Sequence, residues 1–301
     1  PNTTLSEKFA RPAYLVLDND YTDFDDPYRA MRATAAHEFH HIIQYGYDSD
    51  DFQWYLEATA SWMETITFPE HEEATIYVED VFNYPEICFG GQGAADVSGF
   101  GVYGTWLFIE FIQRTYGEDA PLRLWENIAL SDGWFPLRAT LETYNETIET
   151  AVLRYHLHNL VRDYTFTPTF DDLTVWIEQT ITAPGQWSPE GEGVQELGAN
   201  YYVLALDPGT YDIRLVNADP DLELWVVGIK QDEAAAVPLG AAGTIDNRSW
   251  ESTYLVVFNR EYDDDVNACS YSTYALDIQP STNTPFSAVF GYNAAQYRPL
   301  R

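Results

Sequence analysis

Residues 37–41 read His-Glu-Phe-His-His, inside a segment whose composition predicts a helix. On an α-helix, positions i and i+4 lie on one face a single turn apart, which brings the rings of His37 and His41 together. Two imidazoles in that arrangement can bind one zinc ion, and Glu38 can then reach a water molecule on the ion. The segment therefore predicts a zinc-dependent hydrolase, most readily a protease, with Glu38 as its general base.

The next predicted helix supplies a third ligand. It begins after Asp50-Asp51 and ends near Phe68, and it carries Glu57 among apolar and small residues. A buried carboxylate costs several kcal/mol unless it is paired or bound to a metal. A catalytic zinc takes three protein ligands and keeps one position open for water. We therefore expect Glu57 to join the two histidines as a ligand, and Glu64, two turns further along the same face, to orient them.

Two other ligand sets complete such a site in zinc enzymes. A metzincin would need a glycine and a third histidine soon after the histidine pair, but Gln44 and Tyr47 stand at those positions. An aspartate ligand from the stretch 48–51 stays open, although those residues are typical of a loop and a helix cap.

The two segments together resemble the gluzincin metallopeptidases. In the aminopeptidase branch of that family, His-Glu-x-x-His is followed by a helix of the type Asn-Glu-Gly-Phe-Ala-x-Trp. Here residues 56–62 read Leu-Glu-Ala-Thr-Ala-Ser-Trp, so Glu57 matches the ligand glutamate, although its interval from His41 is shorter than usual in the family. The segments also resemble secreted bacterial and archaeal metalloproteases with Glu-Ala-Thr-Ala-x-Trp-Met-Glu after the first motif. The resemblance covers residues 14–116 and implies a mostly helical, zincin-like catalytic domain.

The same resemblance implies a role for Tyr103, which follows the glycine-rich segment 90–101. In gluzincin aminopeptidases a tyrosine at a similar helix start donates a hydrogen bond to the oxyanion. Tyr103 matches it, although Gly104-Thr105 replaces the family's continuation. The Gly-x-Met-Glu-Asn segment with which that branch binds a substrate's amino terminus does not occur in this sequence. An endopeptidase is therefore expected, with a polypeptide as its substrate.

The length of the chain and a change in its residue pattern predict a multidomain α plus β protein with two domains. The chain has 301 residues, of which 46% are hydrophobic, enough for a sizeable core. A Pro- and Gly-containing stretch from residue 184 separates a mostly helical part, residues 1–184, from an alternating part, residues 185–301, which predicts an antiparallel β-sandwich. Two predicted helices end at Gly46 and near Phe68, and three more cover residues 103–116, 121–130 and 136–165. The predicted strands are 14–17, 201–206, 211–215, 222–227, 254–258 and 274–278.

The charge excludes some partners and suggests a second metal. The net charge of −33 opposes binding to nucleic acid or to an anionic membrane. Most of the acidic residues are expected to form a solvated surface. Calcium is a candidate ion for the dense acidic runs at 18–26 and 263–267, because it takes carboxylate and amide oxygens.

Three observations bear on localisation. The sequence contains no apolar run long enough for a membrane-spanning helix. It starts at Pro1 without a signal peptide, so we interpret it as part of a longer precursor, secreted or displayed at the cell surface. Cys88 and Cys269 match no metal-ligand spacing, and we expect free thiols slightly in preference to a disulfide.

Two other functions compete with the endopeptidase. One is a catalytically silent binding or adhesion module that keeps a protease scaffold, although the intact Glu38 argues against a dead enzyme. The other is a zinc amidase that acts on cell-wall material.

Overall fold

The computed structural model describes residues 10–69, 73–90, 101–161, 173–231, 233–263, 269–283 and 290–291. It contains both helices and largely antiparallel sheets, as the mixed α plus β prediction requires. The chain divides into two compact units: Pro1–Val81 with Gly90–Ala151, and Phe82–Phe89 with Val152–Arg301. The sequence predicted a division after residue 184, whereas the structure changes unit at residue 152 and also assigns the segment 82–89 to the second unit.

The described residues of the first unit form helices and one 3-10 turn, with no strand. The α-helices in the described part of the chain are α1 (Pro27–Gln44), α2 (Gln53–Thr67), α3 (Val78–Asn83), α4 (Gly101–Gly104), α5 (Trp106–Tyr116), α6 (Ala120–Ile128), α7 (Phe135–Glu142) and α8 (Ile148–Val161), and the 3-10 turn is Glu73–Tyr77. Helices α3 and α8 run across the division between the units.

Two sequence predictions in this part of the chain were wrong. The helix predicted over 136–165 is two helices, α7 and α8, because the chain turns between them at Asn145, which has a φ of 57°. Asparagine tolerates this left-handed conformation, which ends a helix. The strand predicted at 14–17 is irregular backbone, and its side chains Tyr14 and Val16 are 85% and 71% exposed.

Helix α1 begins at Pro27, behind a side-chain cap. The side chain of Asp26 accepts hydrogen bonds from the N–H groups of Tyr28 and Arg29, and Pro27 occupies the first turn. This cap satisfies donors that have no partner within the helix. The helix ends at Gln44, two residues before Gly46.

Helix α2 packs against α1 and α5. Its buried face combines large aromatic side chains, among them Trp54 and Tyr55, with the small residues Ala58, Ala60 and Ser61. Small side chains let two helices approach closely. The close approach places the α2 side chains that face α1 within hydrogen-bond distance of its histidines.

The described residues of the second unit form two sheets. One has the strand order β1-β3-β8-β5-β6-β10 and the other β2-β9-β4-β7. The strands are β1 (Gln179–Ile181), β2 (Gly185–Trp187), β3 (Ala199–Leu204), β4 (Thr210–Val216), β5 (Leu222–Lys230), β6 (Glu233–Gly240), β7 (Ala242–Asp246), β8 (Ser252–Asn259), β9 (Ala275–Pro280) and β10 (Phe290–Gly291). All pairs are antiparallel except β1 with β3. Buried side chains from both sheets, including Tyr202, Leu224 and Ile278, form one hydrophobic cluster.

The preference for free thiols was wrong, because Cys88 and Cys269 form a disulfide. Their separation of 181 residues hides the proximity that the fold creates. Phe89 donates its N–H to the carbonyl of Glu196, and Ser270 donates its N–H to the side chain of the same glutamate. One residue therefore holds the neighbours of both cysteines.

Two findings bear on where this protein resides. Among the described residues, no helix combines the length and the apolar character needed to cross a bilayer. The disulfide is compatible with an oxidising, extracellular setting.

Candidate metal centre

The histidines of α1 lie together as their spacing predicted. Donor atoms of His37, Glu38 and His41 lie within 4.8 Å of one another, so these residues form a group that can hold a metal ion. The two imidazole rings meet edge to face with their centroids 4.7 Å apart. His37 is buried, with 8% of its surface exposed.

Glu57 lies opposite both rings. Its Oε2 atom is 3.1 Å from Nε2 of His37 and 3.5 Å from Nε2 of His41. Ligands bonded to one tetrahedral zinc ion at about 2.05 Å stand roughly 3.3 Å apart. The two separations from Glu57 Oε2 to the ring nitrogens are therefore close to an edge of a zinc tetrahedron.

The Nδ1 atom of each imidazole ring has a hydrogen-bond partner of its own. His37 Nδ1 donates to Glu64 Oε1 at 2.8 Å, and His41 Nδ1 donates to Gln44 Oε1 at 2.6 Å. With the hydrogen on Nδ1, each Nε2 is the atom that can bind a metal. Glu64 was predicted from its place on α2. Gln44 was missed as an orienting residue, although its position three residues after His41 on the same helix is a signal that could have found it.

The carboxylates control the charge of His37. Burial alone would lower the pKa of His37, but its hydrogen bonds to Glu57 and Glu64 outweigh burial and raise the pKa to about 9. Burial likewise works against ionised Glu57, yet the two histidines lower its pKa to about 2. For Glu64 burial wins and raises the pKa. Without metal, a proton on His37 thus supplies positive charge between two acidic side chains.

Tyr103 stands at the same site. Its hydroxyl forms a hydrogen bond with Glu57. Its ring stacks on that of His37 with centroids 5.9 Å apart, and its centroid also lies 5.2 Å from that of Tyr77. Burial and the charge of Glu57 raise the pKa of Tyr103 to about 12. The hydroxyl therefore keeps its hydrogen at neutral pH and remains a hydrogen-bond donor.

The aspartates proposed as alternative ligands have other partners. Asp48 Oδ1 accepts the N–H of Asp50, and Asp51 Oδ1 accepts the N–H groups of Phe52 and Gly133. These bonds shape the loop before α2 and join it to the turn before α7. Their carboxylates do not group with the histidines.

The calcium prediction finds no support among the described residues, where the α1 group is the one whose donors lie close enough for an ion. In the first acidic run, Asp20 Oδ1 accepts hydrogen bonds from Thr22, and Asp26 caps α1. Most of the second run, residues 264–267, lies outside the described residues.

His156 of α8, which lies outside this group, is a buried residue with a structural role. His156 is 4% exposed, and its ring nitrogens bond to the Tyr201 hydroxyl and to the Leu197 carbonyl. Burial lowers its pKa to about 4, so the ring is neutral at physiological pH.

Comparisons with protein-family models, with curated proteins and with solved structures found no match for this chain. The side chains of the site and the motif that predicted them are therefore the basis for assigning a function.

Proposed function

We propose that this protein is a zinc-dependent endopeptidase in which His37, His41 and Glu57 hold the ion and Glu38 is the general base. One observation carries the proposal: both Nε2 atoms converge on a single oxygen of Glu57 while both Nδ1 atoms are held elsewhere. A structural ion pair does not need two rings locked in the orientation of metal ligands.

Two carboxylates compete for the third ligand position. Glu57 Oε2 lies at hydrogen-bond distance from His37 and 3.5 Å from His41. Ligand atoms of Glu38 and of both histidines all lie within 4.8 Å of one another. Glu38 is also rotated by one residue around α1 from His37, about 100°, and so points away from the line joining the two rings. This geometry favours Glu57 as the ligand and leaves Glu38 for proton transfer.

The side chains divide the proposed reaction among themselves. Bound zinc would supply a Lewis acid and an acidified water. Glu38 accepts the proton of the attacking water and passes it to the leaving amine. Tyr103 donates its hydroxyl hydrogen to the oxyanion, a contribution of about 3 kcal/mol to the barrier for donors of this kind.

The proposal extends to the setting of the enzyme. A helical, zincin-like catalytic unit followed by a β-sandwich, secreted into an oxidising medium, accounts for the motif, the two sheets and the disulfide together. A polypeptide is the substrate. Peptides blocked at both ends test for endopeptidase activity, because an exopeptidase leaves them intact.

Glu38→Gln tests the chemistry. We expect zinc stoichiometry to stay unchanged while cleavage of a broad peptide library falls by about 10²–10⁴-fold, the usual contribution of a general base. Undiminished cleavage would remove Glu38 from the reaction. Bound zinc without cleavage of any peptide by the wild-type protein would favour the binding module, and release of cell-wall peptide would favour the amidase.

Glu57→Ala tests the ligand set. Zinc content should fall sharply, whereas the same change at the exposed Glu126 of α6 should leave it intact. Equal zinc content in the two variants would assign the third ligand to Glu38 or to an aspartate.

A further inference from the structure

We propose that Gln44 is a positioning residue, held by Thr59, that fixes the hydrogen of His41 on Nδ1 and so presents Nε2 to the metal. The inference rests on the proposed function, because presenting Nε2 matters only to a protein that binds a metal. The hydrogen bonds that orient Gln44 and His41 do not require a metal. Gln44 is 1% exposed and lies 2.6 Å from His41 Nδ1 through its Oε1 atom.

The orientation of the Gln44 carboxamide is forced by α2. Its Nε2 atom lies 2.9 Å from the carbonyl oxygen of Leu56 and 2.8 Å from Oγ1 of Thr59. A backbone carbonyl can only accept hydrogen bonds, so the amide nitrogen must face it. The amide oxygen is then the atom left to face His41.

The hydroxyl of Thr59 has no freedom to reverse this arrangement. Its hydrogen goes to the carbonyl oxygen of Tyr55 at 2.7 Å, and it accepts from Nε1 of Trp125 at 3.1 Å. A carbonyl cannot donate and an indole N–H cannot accept. Thr59 therefore accepts a hydrogen bond from Gln44. In the chain of hydrogen bonds from Trp125 through Thr59 to the Gln44 amide, the donor and the acceptor of each bond are fixed.

The consequence reaches His41. An amide oxygen has no hydrogen to give, so Nδ1 carries the hydrogen whether the ring is neutral or charged. A reversed amide would place an N–H group against Nδ1 and favour the hydrogen on Nε2, where a metal requires the lone pair. His37 is oriented instead by Glu64, so one ligand is held by a carboxylate and the other by a neutral amide.

The first test observes the ring directly in zinc-free protein. Nitrogen NMR of ¹⁵N-histidine-labelled protein should show the His41 hydrogen on Nδ1, and Gln44→Met should abolish that preference. Gln44→Glu should restore it, because a carboxylate oxygen also accepts. Zinc affinity, measured by competition with a chromophoric chelator, should fall by about 10–100-fold in Gln44→Met. An unchanged Nδ1 hydrogen in Gln44→Met would overturn the proposal.

The second test uses a matched pair of buried threonines. Thr140 resembles Thr59: each is 1% exposed, donates to a carbonyl one helical turn earlier and accepts from a side-chain amide, which is Asn127 for Thr140. Thr59→Val should weaken zinc binding by about 10-fold, Thr59→Ser should restore it, and Thr140→Val should leave it unchanged. Equal effects of the two valine variants on zinc affinity would reduce Thr59 to a packing residue and overturn its role.

The outcomes separate this proposal from the proposed function. If wild-type protein shows the Nδ1 hydrogen that Gln44→Met loses, yet binds no zinc, the positioning holds and the enzymatic proposal fails. If wild-type protein binds zinc and cleaves peptides, and Gln44→Met keeps its Nδ1 hydrogen and zinc affinity, the enzymatic proposal holds and the positioning fails.

Discussion

At the scale of single residues, the site works through buried polar atoms that have partners. Glu57, Glu64 and Gln44 are held at the interface of α1 and α2 by the histidines they contact. Because a buried polar atom without a partner costs about 1–3 kcal/mol, removing one member of such a pair harms the other. Buried groups that have no such partner are places where a substitution can stabilise the protein.

Asp51 has one oxygen of this kind, Oδ2, although its Oδ1 atom accepts from Phe52 and Gly133. Burial raises its pKa to about 6, against the opposing effect of the N–H groups of Phe52 and Gly133. Its Oδ2 atom has no hydrogen-bond partner among the described residues. Asp51→Asn keeps an oxygen for both N–H groups and removes the buried charge. We expect the variant to be more stable by about 2 kcal/mol at neutral pH.

The sign of the pH dependence follows from the direction of the shift. Since the pKa is higher in the folded state than in the unfolded state, about 3.9, folding takes up a proton between these values and native stability falls as pH rises through them. The gain from Asp51→Asn should therefore be full above about pH 6 and absent below about pH 4, as measured by urea unfolding. The exposed Asp50 provides the control substitution. A gain of equal size at both pH values would contradict the explanation.

Sequence could predict part of the site because helical spacing is a local property. The face shared by His37 and His41, and the two-turn relation of Glu57 to Glu64, follow from residue numbers alone. The partner of His41 does not, because Gln44 acquires its polarity from Leu56 and Thr59 on another helix.

At the scale of elements, α4 fixes the position of Tyr103. Gly104 follows this tyrosine, and a Cβ added at Gly104 would fall on the carbonyl oxygen of Tyr77 and lie 2.7 Å from a methyl carbon of Val81. Only glycine allows α4 to pack this closely against the 3-10 turn and α3.

Gly104→Ala should therefore displace Tyr103 without touching a ligand. We expect peptide hydrolysis to fall by up to about 100-fold, the cost of misplacing a group by about 1 Å, with zinc stoichiometry unchanged. Gly101→Ala in the same helix is the control, because a Cβ there meets no atom of the described residues within 4 Å. Full activity in Gly104→Ala, or equal losses in the two variants, would show that Tyr103 does not depend on this contact.

Element boundaries were predictable where local signals mark them. Asp26 and Pro27 mark the start of α1 with a side-chain cap and a first-turn proline, and five predicted strands correspond to β3, β4, β5, β8 and β9. Strand β6 was missed because it contains a run of alanines and Pro238, residues that are depleted in strands. Its pairing with β5 decides its structure, and composition does not reveal such long-range pairing.

At the scale of the whole molecule, long-range contacts decide what the chain order conceals. The segment 82–89 lies within the helical part of the sequence, yet it belongs to the unit that contains the sheets. Phe89 bonds to Glu196, and Trp176 donates its N–H to the carbonyl of Phe82. A single domain boundary placed by composition alone cannot assign such an early segment to the second unit.

The disulfide closes this excursion covalently. A cross-link over 181 residues removes much of the unfolded chain's freedom, and the loop-entropy relation gives up to about 5 kcal/mol. The double variant Cys88→Ala/Cys269→Ala should therefore lose about 2–5 kcal/mol in the unfolding of the second unit. Zinc stoichiometry should stay unchanged, because His37, His41 and Glu57 all belong to the first unit.

Calorimetry with and without a reductant provides the measurement. Reduction should lower the melting temperature of the wild-type protein towards that of the double variant. The melting temperature of the double variant should stay unchanged, because it has no disulfide to reduce. An unchanged melting temperature of the wild-type protein after complete reduction would contradict the stabilising role of the disulfide. Loss of zinc on reduction would show instead that the second unit supports the metal site, and it would link the proposed chemistry to the oxidising setting that the disulfide indicates.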